Sequence, residues 1–144
     1  MMQSSGKRVL AIDFGTKRVG IAISDPLCLF PSVITVIQND KNMILEICKI
    51  ISGKDVDRII LGYPDNSNGK KSELSVLILK FKTELEKKTH IEIQLWNEHL
   101  TSKMAQARII DSVTKKSKRR EKSLIDAHSA GIILEEYLKS IEIK

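Results

Sequence analysis

"RVLAIDFGTKRVGIAISD", Arg8 to Asp25, decides how this chain folds. Two apolar, β-branched runs, Arg8–Phe14 and Arg18–Ser24, are separated by Gly15-Thr16-Lys17, a length that suits a hairpin with glycine in the turn. "SVITVIQ" follows Pro31 and reads as a third strand, so the chain opens with an antiparallel meander. Beyond it the period changes. "NMILEICKIIS" spaces Ile44, Ile47 and Ile51 as a helix does, with Asp40 or Asn42 as its cap and Gly53 as its stop. "DRIILGY" is a fourth strand, ended by Gly62 and Pro64, and the turn-rich "PDNSNGKKS" leads into a helix with Leu74, Leu77, Ile78, Phe81 and Leu85 on one stripe. "IEIQLWN" supplies a fifth strand, a helix opens at Thr101 or Ser102 and runs to about Val113, and Ser123 opens the last helix towards Tyr137.

The order βββ-α-β-α-β-α-α requires parallel crossovers after the antiparallel opening. The expected fold is therefore α/β: a mixed five-stranded sheet with helices packed on its faces. At 144 residues without an internal repeat or a long linker, the chain is expected to form one domain, with a core from about 8 to 138 and tails at 1–6 and 140–144.

Composition excludes several classes. Hydrophobic residues at 42% and charged residues at 29% are an ordinary globular balance. Asp13-Phe14-Gly15 taken alone is the metal-binding triplet of a protein kinase, but a glycine-rich nucleotide loop, a strand lysine and an HRD-type loop are all missing. No apolar run approaches the roughly 20 residues of a membrane span, and "MMQSSGKR" lacks a signal-peptide core, so no membrane partner is expected and the location is read as cytoplasmic. Cys28 and Cys48 stand apart from any CxxC or Cys/His cluster and are expected to be small core hydrophobes.

The net charge is +6, and "KKSKRREK", Lys115 to Lys122, holds six cations against one acid. Such a run is either a solvated loop or an electrostatic footprint for phosphates, which lysine and arginine bind by releasing condensed counterions.

Three carboxylates sit where elements meet: Asp13 ending strand one, Glu98 ending strand five, and Asp126 at the start of the last helix. Each has a structural reading. Asp13 can begin a turn, Glu98 can cap or face solvent, and Asp126 completes a capping box with Ser123. Their combination points elsewhere. Strand one lies centrally in such a sheet, and clustered anions would raise each other's pKa unless a cation neutralised them. Hard Mg²⁺ takes oxygen ligands of this kind and shares them with substrate phosphates. Ala127, Ala130 and Gly131 would let the last helix approach the sheet closely, bringing Asp126 towards Asp13.

"AIDFGTKRVGIAISD", "IILGYPDNSNG", "NEHLTS" and "LIDAHSAGIILEEYL" together resemble the YqgF family, also called RuvX, of Holliday junction resolvase-like proteins with an RNase H-like fold. The resemblance spans about Arg8 to Leu138. A D-x-G-T alone would be shared with actin-like kinases and ATPases, which need two such domains to clamp a nucleotide. The resemblance implies a metal-dependent nuclease, in a family linked to trimming the 5′ end of pre-16S ribosomal RNA. It makes Asp13, Glu98 and Asp126 the catalytic and metal-binding acids, served by one or two Mg²⁺ or Mn²⁺ ions. The chain departs from the family at Asn97-Glu98-His99, where Asp-Glu-Arg is usual. His99 would replace the arginine as a phosphate contact only when protonated.

Thr16, Lys17 and Arg18 are expected to hold phosphates beside the scissile bond, with Gly15 letting nucleic-acid backbone pass close. Lys115, Lys116, Lys118, Arg119 and Arg120 border the same place and would bind without reading sequence. Aromatic residues, at 4%, are too few for a base-stacking platform. The favoured partner is precursor rRNA, for a monomer or homodimer. Branched DNA is the alternative substrate, cut by paired sites of a symmetric dimer. A non-catalytic nucleic-acid-binding module is the reading from another class.

Overall fold

A computed structural model describes residues 7–28, 30–64, 72–97 and 118–142, the last segment with side chains from Ser129 to Ile141. Its strands are β1 (Arg8–Phe14), β2 (Arg18–Ser24), β3 (Pro31–Gln38), β4 (Val56–Tyr63) and β5 (Ile93–Asn97). Its helices are α1 (Met43–Gly53), α2 (Glu73–Thr89) and α3 (Lys118–Glu142). The sheet order is β3-β2-β1-β4-β5, with β1 central, antiparallel to β2 and parallel to β4. The mixed sheet expected from the sequence is present. The helix read over Thr101–Val113 lies outside the described residues, as does the loop 65–71.

Period-2 alternation divides the strand side chains between two cores. Leu10, Ile12 and Phe14 of β1 join Ile21 and Leu61 against α1 and α2, through Ile47, Ile51, Ile78, Phe81 and Leu85. Val9 and Ala11 turn the other way and pack with Ala22 and Ile60 against α3, through Ala130, Ile133, Leu134, Tyr137 and Leu138. Helices thus cover both faces. The second core is built on small residues. Ala11, Ala22 and Ala130 are wholly buried, and a Cβ on Gly131 would lie 3.1 Å from Ile34 Cδ1. Among the described residues no helix is long and apolar enough to cross a membrane.

Three local expectations are corrected. The last helix begins at Lys118, not Ser123. Lysine, arginine and glutamate are good helix formers, so much of the run read as a possible loop is helical, and Ser123 and Asp126 lie within the helix rather than in a capping box. Leu77 is 41% exposed because it sits at the margin of the α2 stripe set by Leu74, Ile78, Phe81 and Leu85. Gly53 is the last residue of α1, as expected, with Lys54 as the cap and a positive φ of 54° on Asp55 beyond it. Cys28 and Cys48 are free and only half-buried. Cys28 sits at φ 58° in the β2–β3 turn, where Asp25 accepts from the backbone N–H groups of Leu27 and Phe30.

The α2–β5 connection turns on one carboxylate. Glu86 Oε2 accepts from Ile93 N–H at 2.9 Å and from Lys82 Nζ at 3.1 Å. The Ile93 N–H, helped by Lys82 and opposed by partial burial, holds Glu86 below the usual carboxylate range. A pKa lowered in the folded state stabilises above the unfolded value, and that contribution is lost as pH falls through the folded value. Glu86→Gln is expected to cost about 1 kcal/mol near neutral pH. Thermal melts of the two proteins should converge as the pH is taken down through the acid range, and a gap that persisted there would contradict this role.

Candidate active site

β1, β4 and β5 run parallel, so their carboxyl ends share one edge of the sheet. Asp13 stands at that end of the central strand. It follows Val9 and Ala11 in the alternation that faces α3, and it is half-buried. Its β2 partner is Gly20. On the other side Ile12 pairs with Leu61, and the residue after Leu61 is Gly62. Asp13 is therefore flanked at its own level by glycines from both neighbouring strands. The sequence carried both glycines, but their meaning depends on a register that joins distant segments.

Position 126 lies on the helix that covers this same face. One turn later Ala130 packs on the sheet, followed by Ile133 and Tyr137 at helical spacing. α3 meets β3 where Gly131 approaches Ile34, and it meets β4 and β5 where Tyr137 accepts from Arg58 Nη1 at 2.7 Å and lies edge-on to Trp96 at 5.6 Å. Trp96 Nε1 also donates to Glu136 at 3.2 Å. The Asp126 side chain, Glu98 and His99 lie outside what is described, although β5 ends at Asn97 on the Asp13 edge. Among the described residues no three His, Cys, Asp or Glu side chains form a metal-sized group. The proposed donor set is all carboxylate, which suits a hard cation, and it draws two of its three members from beyond the described side chains.

The cationic candidates divide similarly. Thr16 and Lys17 are exposed in the β1–β2 turn, and Arg18 is half-buried as the first residue of β2, paired with Gln38. Lys118, Arg119 and Arg120 form the first turn of α3, while Lys115 and Lys116 lie outside the described residues. Gly15 has a structural reason of its own: a Cβ there would lie 2.5 Å from the Arg18 carbonyl oxygen, so the turn itself demands glycine. Asn39, not singled out from sequence, donates its side-chain amide to Gly15 O at 2.7 Å.

An antiparallel meander running into parallel strands, with a carboxylate at the end of the central strand and a long helix over that face, defines an RNase H-like fold. Solved structures bear the fold out. RuvC of T. thermophilus, in complex with a Holliday junction substrate, superposes with a TM-score of 0.57 at 10% identity, covering 94% of this chain and 96% of that one. The fowlpox virus Holliday junction resolvase gives 0.56 at 16% identity, covering 93% and 99%. The family model described as "RuvX: Holliday junction resolvase" matches residues 7–140, and the chain belongs to that family. Relatives named "Putative pre-16S rRNA nuclease" include one from Porphyromonas gingivalis, 38% identical over 91% of this chain and 95% of that protein. Another, from Clostridium botulinum, is 36% identical over 93% and 98%.

Proposed function

We propose that the protein is a divalent-metal-dependent endonuclease that hydrolyses phosphodiester bonds in structured RNA, with the 5′ end of pre-16S rRNA as substrate, in the cytoplasm. The observation that carries this reading is Asp13, presented at the carboxyl end of the central strand between Gly20 and Gly62, on the face that α3 covers. Family membership and the names of the relatives support the same class.

Asp13, Glu98 and Asp126 would hold one or two Mg²⁺ or Mn²⁺ ions. Such ions supply Lewis-acid stabilisation of the charge that builds on phosphate during in-line displacement. The chain supplies the positioning. β1 fixes Asp13 on a rigid element held by strands on both sides, so its carboxylate needs little reorganisation. Thr16, Lys17 and Arg18, next along the chain, would hold phosphates near the scissile bond. Lys115, Lys116, Lys118, Arg119 and Arg120 would draw the nucleic acid in, and His99 would add a phosphate contact when protonated. Branched DNA is the second substrate reading, favoured by the family description and the resolvase fold.

Labelled precursor-rRNA fragments and four-way DNA junctions, each incubated with Mg²⁺, Mn²⁺ or EDTA, test the assignment. Metal-dependent cleavage of the RNA and little of the junction is expected. Junction cleavage alone would transfer the activity to DNA, and binding without cleavage of either would leave a binding module. Neutralising Lys118, Arg119 and Arg120 to Gln is expected to flatten the dependence of log K on log salt by about 2 to 3. An unchanged slope would remove α3's first turn from the interface.

A further inference from the structure

The turn that carries Thr16, Lys17 and Arg18 is tied down from a distant part of the chain. Asn39 Nδ2 donates to the Gly15 carbonyl at 2.7 Å, across 24 positions of sequence. The Asn39 backbone N–H donates to the Lys17 carbonyl at 3.0 Å. One residue therefore grips the turn near its entry and again near its exit. The turn itself is closed tightly, as the 2.5 Å approach of a Gly15 Cβ to Arg18 O records. Asn39 is half-buried between the Arg18–Gln38 pair that ends β3 and Asn42, the N-cap of α1. Thr16 and Lys17, by contrast, are exposed.

Holding an exposed basic turn in one shape has a direct consequence for binding. A mobile turn loses backbone freedom when it closes on a phosphate, and ordering it beforehand removes that loss from the binding step. Both Asn39 contacts reach main-chain carbonyls, so they fix the turn while leaving the Lys17 side chain to face solvent.

We infer that Asn39 is a positioning residue for nucleic-acid binding, its amide locking the β1–β2 turn so that Lys17 and Arg18 meet phosphate groups in a preset arrangement. The inference rests on the reading of that turn as a phosphate contact. It also links two stages of the fold, since the end of the meander organises the segment two residues beyond Asp13.

The test is a mutant cycle read by equilibrium binding, without cleavage. A labelled RNA duplex with a single-stranded 5′ extension is titrated, over a series of salt concentrations, with the wild type, Asn39→Ala, the pair Lys17→Gln with Arg18→Gln, and the triple variant. Asn39→Ala is expected to raise Kd about five- to tenfold and to make the salt slope shallower, in the same direction as the pair, whose loss of two charges should flatten it by about 1 to 2. The triple variant is expected to bind like the pair, because Asn39 acts through those two cations. Wild-type affinity in Asn39→Ala, or the same fold loss with and without the cations, would overturn the inference while leaving the turn as a phosphate contact. Wild-type binding by the pair would overturn the phosphate reading and the inference with it. Thermal melts check that each variant is folded, and Asn39→Ser, with its shorter side chain, is read by the same criteria should Asn39→Ala fail to fold.

Discussion

Asp13→Asn is expected to lower metal-dependent cleavage by about a thousandfold or more, while nucleic-acid affinity stays within about twofold of the wild type. Each tenfold in rate corresponds to about 1.4 kcal/mol of barrier, and a metal ion stabilises developing charge by several kcal/mol. The substitution keeps the size and shape of the side chain and removes the negative charge that would hold the cation. Phosphate contacts from the β1–β2 turn and the first turn of α3 do not pass through Asp13, so binding should survive. The two readouts separate a catalytic role from a structural one. Single-turnover cleavage at saturating protein, with a parallel binding curve, measures both. Undiminished cleavage would mean that the activity belongs to another site or a contaminant. A parallel loss of binding and thermal stability would make Asp13 a structural residue of the strand end.

Ala130→Leu is expected to destabilise the fold by overpacking the seam between α3 and the sheet. Ala130 is wholly buried in the cluster formed with Ala11 and Ala22, and Gly131 beside it already approaches Ile34 within 3.1 Å of where a Cβ would stand. Additional methylenes in so tight a seam cost about 1–3 kcal/mol. The more informative consequence is displacement. A leucine would push α3 away from the sheet, and with it position 126, one turn before, so cleavage should fall further than the melting temperature alone implies. Leu134→Met, in the same cluster, conserves volume and is expected to cost under about 1.5 kcal/mol with activity retained. Calorimetry and cleavage assays on the pair check the comparison. Native stability in Ala130→Leu would show that the helix does not pack as closely as described.

The strands were legible because their apolar residues are dense and β-branched, and because the helices between them switch to a 3.6-residue period. Gly15-Thr16-Lys17 signalled the hairpin for a local reason, and the local reason held. What escaped the sequence depended on context. The run before Ser123 is so charged that it suggested a loop, yet its residues favour helix, and α3 begins at Lys118. Leu77 matches the apolar spacing of its neighbours but lies at the margin of the buried stripe and remains exposed.

The candidate site divides along the same line. Asp13 could be placed at a strand end from its neighbours alone. That Gly20 and Gly62 flank it, and that Asn39 pins the following turn, follows from a register between segments far apart in sequence. Glu98, His99, Lys115 and Lys116 fall outside the described residues; the part of Glu98 and His99 in the site rests on the family resemblance and the end of β5 at Asn97, and that of Lys115 and Lys116 on the charge run that leads into α3.

The convergence of three acids is tested most directly by diffraction from crystals grown or soaked with Mn²⁺, using the anomalous signal of the metal. The account predicts one or two manganese peaks contacted by carboxylate oxygens of Asp13, Glu98 and Asp126 together, over the face of the sheet that α3 covers. Manganese bound elsewhere, or any one of the three side chains directed to the opposite face, would contradict it.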